Sequence, residues 1–239
     1  MKNNSHNSSP KLSTNGLSVP LDFPVIQYES VHKIIGSTQA SHPLYEHFSG
    51  AWNALAYRFR AAIDYGDIFV ESLRNYGDAP PPEERYVQER TLFDFFGSGF
   101  SVFESTFYGL YTIGAFLEPT YFSLTSKEDQ RNVSPKRTNE AFVRAFPTDP
   151  ILIAFQEITS DTEYRRWRDI RNVLTHRTAP GRRIYASIGG KDPIPAVWKL
   201  NDIPLDESIS KRGREELSRL LTHLLDASMA FVNKYFIKN

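Results

Sequence analysis

The chain of 239 residues has no cysteine, which excludes disulfides, zinc-thiolate centres and thiol nucleophiles and fits a reducing cytoplasm. It has no surplus of charge either. Lys+Arg and Asp+Glu both number 28, so no global field draws it to nucleic acid or membrane, and any basic character must be local. The first 20 residues are rich in Ser and Asn and lack the apolar core of a signal peptide. They predict a disordered tail, with residues 21–239 as a single helical domain. Metal-binding patterns are missing as well. His42 and His47 are five apart, His6 and His32 fall in expected coil, and His223 stands alone in the last expected helix. With no H-E-x-x-H or carboxylate-histidine cluster, neither a metal nor another cofactor is expected. Gly97-Ser98-Gly99 has no strand before it, which argues against a phosphate loop, and the serines lack a nucleophile elbow.

One stretch, Leu92 to Leu117, is long enough to cross a membrane, but it carries Asp94 and Glu104 and many Ser, Thr and Gly residues. Charges in mid-span are costly, and no Lys/Arg cluster closes either end. The stretch predicts a helix buried in a bundle, with no membrane partner.

What is present is ample core material, 40% hydrophobic and 13% aromatic, and clear helical periodicity. Phe48, Trp52, Leu55, Phe59, Ile63 and Leu73 predict one helix over 44–76, stopped by Gly77 and Pro80-Pro81-Pro82. A second is predicted over 83–117, where Gly97, Ser98, Gly99, Ser101 and Ser105 admit a close neighbour. Residues 125–136 read as a polar connection and 139–146 as a short helix. Asp149-Pro150 starts a helix reaching Ile158, and Ser160 or Asp161 caps the next, over 162–176. RRIYASI, GGKDPIP and AVWKL read as a hairpin, and a last amphipathic helix covers 208–237. The fold class expected is mainly α: one helical bundle with a small β-hairpin inserted before its final helix.

The chemistry concentrates at the end of the 162–176 helix. Arg165, Asp169, Asn172 and His176 fall on one stripe at spacings of four, three and four. Asp169 or Asn172 is placed to orient the imidazole of His176 and set its tautomer. Arg171 lies off that stripe, roughly 140° from His176 on an ideal helix. The two converge only at a distorted helix end or with groups from a second copy about a two-fold axis. Arg165, Arg166, Arg168, Arg171, Arg177, Arg182 and Arg183 make a local basic window suited to a phosphate backbone; the plain alternative is that they pair with neighbouring acids or are solvated. Glu104 sits in an apolar helix, where a lone carboxylate is costly. It is expected to support the fold or the site by pairing with an arginine such as Arg171.

Arg171, Asn172 and His176, at the end of a helix in a mainly α chain, resemble the Arg-polar-…-His signature of the HEPN superfamily (higher eukaryotes and prokaryotes nucleotide-binding). The resemblance implies a four- or five-helix bundle that forms a homodimer and acts as a metal-independent endoribonuclease. It also implies a place among toxins or defence proteins, with an antitoxin-like protein partner. It implies that His176 serves as general acid or base, that Arg171 stabilises the phosphorane and that Asn172 orients phosphate or imidazole. Arg165, Arg168, Arg177, Arg182 and Arg183 would bind RNA, with Asp169 and Glu104 in support. The competing reading is a non-catalytic helical module that uses the same basic patch to bind a nucleotide, RNA or a protein partner. A purely structural helical protein with an accidental motif is the third.

Overall fold

The computed structural model describes residues 9–174 in full, residues 175 and 176 as backbone, and residues 180–184, 196–200 and 202–237. Among these residues there are eight helices: α1 (Val25–Gln39), α2 (Tyr45–Tyr76), α3 (Pro82–Leu117), α4 (Lys127–Arg131), α5 (Pro135–Ala145), α6 (Ile151–Ser160), α7 (Thr162–His176) and α8 (Glu207–Phe236). Between α7 and α8 lie the strands β1 (Arg182–Arg183), β2 (Val197–Leu200) and β3 (Ile203–Pro204). The fold is mainly α with a small antiparallel sheet before the last helix, as the periodicity predicts.

Local chemistry sets the boundaries. Gly77, at φ 67°, closes α2 by donating its amide to the Leu73 carbonyl at 2.8 Å, in the left-handed conformation that suits glycine. Pro82 opens α3, where a missing N–H costs nothing. Two helices differ from the sequence expectation. α4 lies inside the stretch read as a connection, started by a reciprocal Ser126–Asp129 capping box. α5 begins four residues early because Ser134 caps it and Pro135 occupies its first turn. α1 is a further helix that the sequence pattern leaves unassigned. In the sheet, Arg182 faces Trp198 and Arg183 faces Val197, while β3 pairs with β2 through Leu200 and Ile203. The end of the first expected strand, residues 185–188, and the expected turn, residues 189–195, lie outside the described residues.

The chain forms two compact units. The first comprises the residues up to Arg60, Val102–Ile158 and Leu220 onward; the second comprises Ala61–Ser101 and Thr159–Arg219. α2, α3 and α8 each supply one part to each unit.

The first unit is built on aromatic packing. Tyr28, Phe48, Trp52, Phe59, Phe103 and Phe107 are fully buried, and Trp52 Nε1 donates to the Tyr28 carbonyl at 3.1 Å. Burying one such side chain is worth about 1.5–3 kcal/mol. Part of the segment expected to be a tail packs here: Leu12 and Val19 are buried, and Lys11 bridges Ser18 across a turn. At the start of α6 the buried Asp149 carboxylate accepts from the Ile151 amide at 3.0 Å, from Lys234 Nζ at 2.7 Å and from the Tyr235 hydroxyl at 3.2 Å.

The second unit has Phe95, Phe96, Trp167, Phe69 and Trp198 at its core. α3 carries too many polar groups to read as a span, and no helix among the described residues is long and apolar enough to cross a membrane.

Candidate functional site

α7 carries the motif, and its first half is held on three sides. At its start the Asp161 carboxylate accepts from the Glu163 amide at 2.7 Å and the Tyr164 amide at 3.3 Å, and Arg219 Nη2 donates to it at 3.0 Å. Burial alone would raise its pKa, but these donors hold it below the ordinary value. On the inner face Tyr164, Trp167 and Ile170 recur every three residues and are buried. The Trp167 ring lies 4.9 Å from Phe95 and 4.8 Å from Phe96. It covers Gly99 so closely that a Cβ there would collide with the indole. Gly97, two residues away, meets nothing within 4 Å, so of the small residues expected to admit a neighbour it is Gly99 that seats α7.

The third anchor is ionic. Arg166 Nη2 lies 3.0 and 2.8 Å from the two oxygens of Glu216 and 2.6 Å from Glu163 Oε2. Burial, with the Glu163 carboxyl beside it, lifts the Glu216 carboxyl from its ordinary 4.5 to about 7, and the Arg166 charge opposes the rise. Sequence reasoning missed this cluster. Glu163 and Arg166 share a helix face at i, i+3, but no local pattern points to Glu216.

The second half of α7 carries the candidate chemistry. The Arg171 guanidinium lies over the Phe100 ring, 4.5 Å from its centroid, a cation–π contact that orients it against α3. Asn172 beside it is half-buried. Arg165 is exposed and donates from Nε to the Thr159 carbonyl at 3.3 Å. Arg168 and Asp169, both exposed, form an adjacent ion pair at 3.0 Å. Asp169 thus engages Arg168 as well as lying on the stripe. His176 is the last residue of the helix; its side chain, and all of Arg177, lie outside the described residues. α7 stays α-helical to His176, which leaves Asn172 and His176 in line and Arg171 about 140° around the axis.

The two arginines after the helix differ in kind. Arg182 is half-buried over the Trp198 ring at 4.0 Å, with Nη1 donating to the Asp78 carbonyl at 3.0 Å and Gln88 Oε1 at 2.7 Å. Gln88 is fully buried and itself donates to the Ser72 and Gly77 carbonyls, so Arg182 ties the sheet to the α2–α3 turn. Burial pulls its pKa down, and Glu89 and Asp78 oppose that. Arg183, on the same strand, is exposed.

Glu104 belongs to the first unit and Arg171 to the second. Glu104 is half-buried and lines a cavity with Arg58, Ser105 and Tyr108. Nearby, His47 Nδ1 is 3.0 Å from the Tyr108 hydroxyl, a pairing between α2 and α3 that no sequence spacing announces. Of the other described histidines, His42 accepts from the Leu44 amide and His223 lies 2.8 Å from Glu157, while His32, which α1 carries in place of the expected coil, stacks on Tyr28, where burial lowers its pKa. Among the described residues no group of three or more His, Asp or Glu is placed to hold a metal ion. No family model, no curated protein and no solved structure matches the chain.

Proposed function

We propose that the chain is a metal-independent endoribonuclease whose site contains Arg171, Asn172 and His176 and is completed by a second copy of the chain. The residue types at Arg171, Asn172 and His176 motivate the chemistry, and the unbroken course of α7 to its last residue calls for the second copy. A single helix presents Asn172 and His176 to one side and Arg171 to another, and a two-fold axis brings an arginine from one copy to the histidine of the other. In this mechanism His176 removes the proton from the ribose 2′-hydroxyl, and the 2′-oxygen attacks phosphorus. The bond to the 5′-oxygen breaks, that oxygen takes a proton from water, and the imidazolium of His176 returns its own to solvent. Arg171 neutralises the charge on the pentacoordinate phosphorus. The products are a 2′,3′-cyclic phosphate and a 5′-hydroxyl, and DNA, lacking the 2′-OH, is spared. Arg165, Arg168 and Arg183, exposed along α7 and β1, together with Arg177, serve the RNA backbone, with Asp169 as a supporting carboxylate. The resemblance also supports a toxin or defence role restrained by an antitoxin-like partner.

The test incubates the purified chain with single-stranded RNA in EDTA beside His176→Ala and Arg171→Ala variants, after thermal melts establish that both fold. Cleavage should fall about 10²–10⁴-fold in each variant, with cyclic-phosphate ends on the wild-type products. Equal cleavage by all three proteins would sink the proposal. Binding that weakens with salt, without cleavage, would establish the non-catalytic module instead.

A further inference from the structure

The first unit contains two adjoining cavities, of about 390 Å³ and about 590 Å³, within the size range of small-molecule sites. Arg58 and Ala54 line both. The larger cavity is basic, lined by Lys11, Arg58 and Arg60 with no carboxylate, and Tyr57, 67% exposed, stands beside them. Its walls are fixed. Arg60 Nη1 donates to the Ser18 carbonyl at 3.1 Å, and Ser18 bridges Lys11. Asn15 spans the turn, accepting from the Leu17 amide at 2.9 Å and donating to Asn53 Oδ1 at 3.3 Å. The 11–18 turn is therefore seated on α2 and holds its lysine at the cavity.

The smaller cavity is mixed in charge, with both Arg58 and Glu104 in its lining. Glu104 offers carboxylate oxygens, Tyr108 a phenol, and Ser105 and Ser134 hydroxyls, against the apolar walls of Val133 and Pro135. Arg58 donates to Ser105, fixing the guanidinium between the two compartments. Burial raises the Tyr108 pKa, so the phenol stays protonated and exchanges hydrogen bonds as a neutral group with His47.

A carboxylate repels an anion and accepts from hydroxyls, whereas a Lys/Arg cluster does the reverse. We infer that the paired cavities bind a phosphate monoester of a small polyol, its phosphate against Lys11, Arg58 and Arg60 and its hydroxyls toward Glu104 and Tyr108. The site is independent of the ribonuclease reading, since no residue of α7 lines it.

Titration calorimetry on the full chain tests this with glucose 6-phosphate, ribose 5-phosphate and glycerol 3-phosphate, against the unphosphorylated polyols and inorganic phosphate. At least one ester should bind, more tightly than inorganic phosphate and than its parent polyol. Lys11→Gln should weaken that ester about tenfold, the loss of one charge-assisted contact. Glu104→Gln should weaken the ester and leave inorganic phosphate unimpaired. His176→Ala should change nothing, which separates this site from the one on α7. Absence of binding by every ester overturns the inference. So does inorganic phosphate binding as tightly as the esters, or an equal loss in an Arg168→Gln control, which would mark diffuse surface attraction.

Discussion

Individual side chains in this protein are occupied in ways that their residue types do not reveal. Arg166, Arg168 and Arg182 look alike in the basic window. One is clamped between Glu163 and Glu216, one is paired to its neighbour Asp169, and one lies over Trp198. The clamp has a measurable signature. Glu216 holds its proton more tightly in the folded chain, about 7 against an ordinary 4.5. The folded state therefore binds more protons than the unfolded one in that window, and stability must fall as pH rises through it. The contribution is complete below about pH 4.5 and is lost by about pH 7. A Glu216→Gln chain has no such proton to lose, so the difference between its melting temperature and that of the wild type should shift in its favour across this range. Parallel curves would show that Glu216 ionises normally. The Arg171–Asn172–His176 run is visible in the sequence because its members fall within six consecutive residues. The sequence hid the clamp and the His47–Tyr108 pair because each joins residues 50 or more positions distant.

Among the helices, legibility tracked the strength of the apolar repeat. α2, α3 and α8, of 32, 36 and 30 residues, repeat their buried positions over many turns and could be bounded closely. α1 buries only Tyr28, Val31 and Ile35 in 15 residues, too faint a stripe to stand out. α4, five residues long, buries none and rests on its capping box. The seating of α7 on α3 supplies a test at this scale, because Gly97 and Gly99 have opposite surroundings. Gly99→Ala drives a methyl into the Trp167 indole and should cost about 1–3 kcal/mol. Gly97→Ala meets nothing and should gain about 0.5–1 kcal/mol from helix propensity. Chemical denaturation of the two variants checks the signs, and a neutral Gly99→Ala would mean that α7 packs elsewhere.

For the whole molecule the decisive matter is assembly. If Arg171 of one copy serves His176 of another, two inactive variants complement each other. Mixed Arg171→Ala and His176→Ala chains, refolded together, should regain roughly one quarter of wild-type sites, because half of the dimers are mixed and each has one intact site. A mixture that stays inactive while sedimenting as a dimer would place both groups in one protomer. Either result bears on a molecule whose two compact units are each made from separated stretches of chain: three for the first and two for the second. No uninterrupted fragment of the coding sequence specifies either unit. Cutting the chain at any single point therefore divides at least one unit, and a nonsense lesion at Leu220 deprives the first unit of its last segment even though everything that forms the second has been translated.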